Sequence, residues 1–224
     1  MTVGASLSSL PICTVIPRPL SENAREAGTL PDMRDWESAD IILFGATAPS
    51  RISRMISLVQ QRYGASAHWT HAALYTGRGR LIEAVIHPKR VIARGIDAYV
   101  PGRTIAHLRY PGLSSAERSA IVAAAALTMD ARYSIRRALR VGADEWFRSR
   151  LPRTYSYYGK VGHQRTHAKA AAVVSRCICS DVIEHAFIVG ANVTLVSEDI
   201  KFVMPASLHA SDLLDHTLVS RCRL

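Results

Sequence analysis

The sequence is expected to fold as an α+β protein, because strands and helices are both legible in it and alternate without a regular repeat. Three segments carry that expectation. "ADIILFGA" (39–46) holds an unbroken apolar run of strand length, Ile41, Ile42, Leu43 and Phe44, which reads as a buried strand. "HWTHAALYTGRGRLIEAVIH" (68–87) places two strand-like segments on either side of the glycine-bearing turn "TGRGR", the pattern of a β-hairpin. "SSAERSAIVAAAALTMDARY" (114–133) opens with Ser114 and Glu117 at capping-box spacing and continues in an Ala-rich run, which reads as a helix.

The remaining elements fall around these. Residues 1–35 are rich in Pro and Ser with little periodicity and read as an extended N-terminal arm. "PSRISRMISLVQQRYG" (49–64) sets Ile52, Ile56 and Val59 on one helical face, with Pro49 near its start and Gly64 at its end. "GIDAYV" (95–100) and "TIAHLRY" (104–110) are further strand candidates. The segment 134–169 is dense in arginine, among them Arg136, Arg137 and Arg140, with Trp146, Tyr155, Tyr157 and Tyr158 mixed in. It reads as a basic insertion or flap. "SRCICSDVIEHAF" (175–187) leads into a helix expected to end near Gly190-Ala191-Asn192. The tail "KFVMPASLHASDLL" reads as a strand, then Pro205, then a short helical turn.

With 224 residues, 48% hydrophobic and 21% charged, the chain can build a sizeable core without covalent staples. Four cysteines (Cys13, Cys177, Cys179 and Cys222) are too few for a disulfide scaffold, and Cys177 and Cys179 are too close in sequence to bond each other readily. All four are expected to be thiols. No apolar run reaches the length of a membrane span. The first residues lack a basic n-region and are broken by Pro11, Pro17 and Pro19, so no general signal peptide is expected. Synthesis in the cytoplasm is expected, with any export to the envelope left to a dedicated system. A net charge of +10 favours anionic partners.

Two places carry chemistry. If the hairpin loop is the three residues Gly77-Arg78-Gly79, then Thr76 faces Arg80, Ala73 faces Glu83 and His71 faces Val85. His71 and Glu83 are then diagonal neighbours on one face, and the carboxylate can fix the imidazole tautomer. A two-residue loop would send Glu83 to the other face. The other place is Cys179, at or just before the first turn of a helix whose apolar stripe is Val182, Ile183, Ala186 and Phe187. Free backbone N–H groups and the positive end of the helix dipole favour a thiolate there and could hold an oxyanion. Cys177 lies in the extended segment before it, so Cys179 is the better nucleophile. The competing readings are a histidine that is structural or merely exposed, a packed inert thiol, and a zinc site. C-x-C supplies two of about four ligands, and His163, His167 and His185 have no recognisable spacing to complete it.

Taken in order, "ADIILF", "THAALYTGRGRLIEA", "ARYS", "CICSDVIEHAF" and "MPASLHASDLL" resemble the circularly permuted branch of the NlpC/P60 papain-like superfamily, to which the YiiX/YaeF-like proteins belong. The resemblance spans roughly 39–214 and puts the histidine strand first and the cysteine helix last, the reverse of ordinary papain-like enzymes. It implies a permuted papain-like α+β fold, with a small antiparallel sheet packed against the cysteine helix. Residues 36–224 would be one catalytic domain carrying the basic insertion at 134–169. It implies Cys179 as nucleophile, His71 as general base, Glu83 as the group orienting it, and Tyr133 and Ser180 as substrate contacts. The sequence departs from the family in having Ala39-Asp40 for Gly-Asp, Asp181 for Glu, and Ser134 for the Asp that often follows the tyrosine.

The function so implied is that of a cysteine hydrolase cleaving amide bonds, with peptidoglycan stem peptides as the first substrate class and a delivered bacterial effector or lysin as the setting. The chemistry needs neither metal nor cofactor. The second reading is a lipid acyl hydrolase or acyltransferase at a membrane, with anionic-surface contact through Arg136, Arg137 and Arg140. The third is a non-catalytic binding module on a papain-like scaffold. Nucleic acid is not expected as a partner, because no recognised nucleic-acid-binding signature accompanies the basic and aromatic residues. A secretion or immunity partner would accompany the effector reading.

Overall fold

The computed structural model describes residues 22–46, 50–100, 103–148, 176–196, 203–219 and 221–223. Ten strands and six α-helices occur among them. The strands are β1 (Thr29–Pro31), β2 (Ile41–Ala46), β3 (Trp69–Gly77), β4 (Arg80–Val85), β5 (Arg90–Gly95), β6 (Arg103–Arg109), β7 (Arg132–Tyr133), β8 (Arg176–Cys177), β9 (Asp215–Leu218) and β10 (Arg221–Arg223). The helices are α1 (Glu22–Ala27), α2 (Arg51–Val59), α3 (Ser115–Ala126), α4 (Ile135–Arg148), α5 (Cys179–Ala191) and α6 (Pro205–His209).

The α+β class is as expected, but the sheet is not small. Eight strands run in the order β8-β7-β5-β4-β3-β2-β6-β9. Every pairing is antiparallel except β7 with β8. β2 is buried on both faces. Ile41 and Leu43 join a core with Val182, Ile183 and Phe187 of α5 and Ile121 of α3. Ile42 and Phe44 join a second core with Tyr75, Leu81 and Ile96. That double burial explains why the run shows no alternation.

The capping box at the start of α3 forms as the spacing predicts. The Ser114 hydroxyl accepts from Glu117 N, and Ser114 N donates to Glu117 Oε2 at 2.8 Å. At the other end of the chain, α5 stops at Ala191, with Asn192 in the left-handed region at φ 57°, the usual C-terminal device. Helices α3 and α5 approach at Gly190, where an added Cβ would lie 2.4 Å from Ile121 N.

Several expectations are corrected. "GIDAYV" is not a strand: β5 ends at Gly95, and Ile96–Tyr99 forms a 3-10 turn. Ile96 seals the second core there, and the turn carries Tyr99 toward the hairpin. The helix expected to run to Gly64 is α-helical only to Val59 and continues from Gln61 as 3-10 turns that break at Gly64; between them, buried Gln60 donates to the Trp69 carbonyl and accepts from Ala206 N. Over its described portion, 22–35, the N-terminal arm is a helix and a strand rather than extended chain. β1 pairs with β10, and Leu30 and Met33 are buried. Val203 and Met204 precede α6 as irregular chain. Pro49, residues 201–202 and the flap 149–175 lie outside the described residues.

Gly190→Ala should destabilise the protein. Alanine gains up to about 1 kcal/mol of helix propensity over glycine. The new methyl group must displace backbone, not a flexible side chain, and such overpacking costs about 1–3 kcal/mol. A lowered denaturant midpoint at unchanged slope is the expected result, and an unchanged or raised midpoint would contradict the close approach of α3 and α5.

Candidate active site

The hairpin β3–β4 decides whether His71 and Glu83 meet. Its turn is two residues long, Arg78-Gly79, both at positive φ, with Gly77 paired to Arg80. A two-residue turn alone would put Glu83 on the wrong face. A bulge between Tyr75 and Gly77 absorbs the extra residue Thr76 and shifts the register back, so that Tyr75 pairs with Leu81 and Leu74 with Ile82. Continued along the ladder, this places Ala73 opposite Glu83 and His71 opposite Val85. It is the register a three-residue loop predicts, reached by a different turn.

His71 Nε2 consequently lies 2.5 Å from Glu83 Oε2. The Glu83 side chain is fully buried. Its Oε2 also accepts from the Tyr99 hydroxyl. Arg94 Nε sits 2.9 Å from Oε1 as an ion pair, off the line of an aligned hydrogen bond, so charge alone serves that oxygen. Burial by itself would push the Glu83 carboxyl up. The His71 and Arg94 charges and the Tyr99 hydrogen bond outweigh it and hold the group below its ordinary range. Phe44 and Tyr99 stack on each other and flank the imidazole, with ring centroids 5.9 and 5.8 Å from it.

With Nε2 taken, the second imidazole nitrogen is left for Cys179. Cys179 lies beside the ring and acts on its ionisation. Burial would depress the imidazole, but the Glu83 carboxylate and this thiol raise it well above the usual histidine range. Cys179 opens α5 and is 7% exposed. Its position is set by its neighbours. Asp181 Oδ2 accepts from Ile178 N at 2.9 Å, capping the helix. The same carboxylate receives Arg137 Nε at 2.5 Å and Nη2 at 2.8 Å, which ties α4 to the cysteine turn. Cys177, on β8, is fully buried, and burial, together with Asp181, pushes its thiol up to about 12.

Tyr133 and Ser180 both line the cleft that reaches Cys179 and His71. Tyr133 sits on β7 opposite Cys177. Burial and the charges of Cys179 and Asp181 push its phenol up, so the hydroxyl keeps its proton. Ser180 is buried and its hydroxyl donates to the Val203 carbonyl at 2.6 Å, so that side chain braces the helix. The cleft holds about 380 Å³ and is walled largely by apolar side chains, among them Ile56, Val59, Val85, Val141, Ile178 and Met204.

Tyr99 and Arg94 were missed in the sequence. Tyr99 lies in a segment whose sequence reads as strand, and nothing in the sequence singles out Arg94. Only the β4–β5 register, which puts Glu83 opposite Ile92, brings them to the carboxylate. Arg137, one of the three arginines expected at an anionic surface, has its guanidinium engaged by Asp181.

No known family profile and no curated protein matches this sequence. Among solved structures, the chain is similar to the crystal structure of the metalloprotein YiiX from Escherichia coli O157:H7, at 12% identity and a TM-score of 0.52. The match covers 82% of this chain and 97% of that one. It is a likeness of fold. "Metalloprotein" describes that protein: among the described residues here, no group of three or more His, Cys, Asp or Glu side chains is placed to hold a metal ion. His71 Nε2 is taken by Glu83.

Replacing the buried carboxylate should give a pH-dependent loss of stability. Hydrogen bonds to a charged group contribute about 1.5–3 kcal/mol, and Glu83→Gln should lose stability of that order at pH 7. The raised His71 contributes fully below its unfolded value of 6.5 and loses its contribution only as pH climbs through the higher folded value. The lowered Glu83 contributes above its unfolded value of 4.5 and fades as pH falls through the lower folded value. The gap between wild type and Glu83→Gln in denaturant titrations should therefore persist at neutral pH and shrink toward acid and strong alkali. A gap independent of pH would mean the pair is not ionised.

Proposed function

We propose that the protein is a cysteine hydrolase in which Cys179 attacks an acyl carbonyl, His71 carries the proton and Glu83 orients the imidazole. The observation that carries this reading is the placement of one imidazole between a buried carboxylate and a thiol at a helix N-terminus. No simple packing role requires a buried ion pair at the floor of a cleft. The likeness of fold to YiiX is compatible with a permuted papain-like arrangement, in which the histidine strand precedes the cysteine helix.

The steps balance without any further reactant except water. With the imidazole already protonated against Glu83, the Cys179 sulfur bonds to the carbonyl carbon as a thiolate. The oxyanion is held by backbone N–H groups at the start of α5 and by the protonated Tyr133 hydroxyl. Collapse breaks the bond to the leaving group, which receives the proton from His71. Water then gives a proton to His71 and adds to the thioester. The carbon–sulfur bond breaks, releasing the acid and leaving the Cys179 thiolate beside protonated His71.

Amide bonds of peptidoglycan stem peptides are the substrate class suggested by the sequence resemblance, with a delivered effector or lysin as the setting. A specific observation favours the second reading, acyl groups of lipids. The cleft wall is mostly aliphatic, whereas a stem peptide bears several carboxylates that call for a row of cations. Among the described residues lining the cleft, the charged or titratable groups besides the reacting ones are His87, Tyr99 and Arg103.

Site-resolved alkylation tests the catalytic pair. With iodoacetamide between pH 5 and 9, Cys179 should react, while Cys177, buried and held as a thiol, should not. His71→Ala should slow Cys179 at the acid end by at least about tenfold, since the thiolate is the reacting form. Equal reaction of Cys179 in both proteins would remove the basis for the hydrolase reading. Purified sacculi and phospholipid vesicles, each compared with Cys179→Ala, then separate the two substrates by released peptide or free fatty acid.

A further inference from the structure

Helix α2 is oriented contrary to expectation for a core helix. It buries Ser53 and leaves Ile52, Met55 and Leu58 half exposed, at 50%, 56% and 50%. It is anchored by polar contacts instead: Ser50 Oγ caps it at Ser53 N, and Gln60 clips its end to β3 and α6. Its apolar surface starts inside the cleft, where Ile52, Ile56 and Val59 form part of the wall, and continues outward to Met55 and Leu58. On the other side of the cleft, α4 repeats the pattern. Ala138, Val141 and Gly142 line the cleft, while Ile135 (42%) and Leu139 (56%) are exposed. The two helices touch where Gly142 faces Val59, an added Cβ there lying 3.5 Å from Val59 Cγ1. Arginines flank both stripes: Arg51 on α2, and Arg136 and Arg140 on α4, are exposed.

We infer that α2 and α4 form a docking surface for an anionic lipid bilayer, seating the mouth of the cleft against the membrane. Apolar stripes flanked by arginine are the pattern of helices that lie in the headgroup region. Their apolar side chains enter the acyl boundary and their guanidinium groups meet phosphates. The charge agrees, since the chain carries +10 and exposed Arg51, Arg136 and Arg140 border the apolar residues. Among the described residues no helix is long and apolar enough to cross a membrane, so this contact is peripheral. Relative to the sequence reading, Arg137 leaves the surface set, because it is held by Asp181, and α2 enters it. Docking does not need Cys179 and stands or fails separately from the hydrolase reading.

The test uses full-length Cys179→Ala, so that vesicles stay intact, in flotation with phosphatidylglycerol–phosphatidylcholine vesicles and with phosphatidylcholine alone. The protein should float with the anionic vesicles, and much less with the neutral ones or at high salt. Met55→Ser with Leu58→Ser, and separately Ile135→Ser with Leu139→Ser, should each lower the partition coefficient by about tenfold or more, as expected when apolar side chains leave the interface. Arg136→Gln with Arg140→Gln should remove most of the preference for anionic vesicles. Hydrogen exchange on the unsubstituted surface is the second measurement: 51–59 and 135–148 should gain protection when vesicles are added. Flotation unchanged by the serine pairs overturns the proposal. So does a concentration-dependent dimer that the serine pairs dissolve, or protection of both helices in the free protein that is lost when residues 149–175 are deleted. In the latter two cases a second copy, or the chain's own segment, is the occupant.

Discussion

A carboxylate with no access to water imposes the strictest condition on this structure. Glu83 lies on β4, between β3 and β5 within the eight-stranded sheet. An isolated charge there would cost several kcal/mol or more, and the group would protonate. It stays ionised because three different elements each deliver a partner. β3 brings His71, β5 brings Arg94, and the 3-10 turn after β5 brings Tyr99. The register of β3, β4 and β5 is thereby tied to the chemistry, since a slip of one residue would turn His71 or Glu83 to the opposite face.

The cysteine half is held by a second carboxylate with two roles. Asp181 closes the first turn of α5 by accepting from Ile178 N, and it receives both arms of Arg137 from α4. Helix termini leave backbone N–H groups unpaired. Here the cap takes one at Ile178, and the turn that follows starts with Cys179. The parallel pairing of β7 with β8 sets Tyr133 opposite Cys177, two residues before the nucleophile candidate. The two thiols are thus separated by environment. Cys177 is sealed in the sheet, while Cys179 borders a cleft and meets an imidazole.

What was legible in the sequence was local. Ser114 and Glu117 marked the start of α3, Asn192 its counterpart at the end of α5, and the spacing of Val182, Ile183, Ala186 and Phe187 the buried face of the cysteine helix. Cys179, His71 and Tyr133 come to one cleft. Arg94 and Tyr99 could not be singled out, because their role depends on a strand pairing that no short window contains. The inverted burial of α2 was hidden for a related reason. Ile52, Ile56 and Val59 announce an apolar face, but only the tertiary arrangement shows that it walls a cleft instead of filling a core. Ala39 is a further case. Its φ of 70° is one that glycine adopts freely and alanine only at a cost of about 1–2 kcal/mol, a constraint that no local pattern around Ala39 announces.

The hairpin shows how finely a candidate active site can depend on one residue. Arg78 and Gly79 form a turn in which both residues adopt positive φ, which suits the right-handed twist of paired strands. Taken alone, that turn opposes Thr76 to Leu81 and moves Glu83 away from His71. The bulge at Thr76 reverses the shift, and the Thr76 hydroxyl donates to the Arg80 carbonyl at 3.3 Å across it. Turn and bulge are therefore one device, and neither is correct without the other. The chain reaches the register of a three-residue loop while keeping the tighter turn. Periodicity could locate both strands but could not choose between these solutions, since the choice rests on a one-residue bulge at Thr76. The face that Glu83 occupies, and with it the ionisation of His71, is set seven residues away at a surface turn.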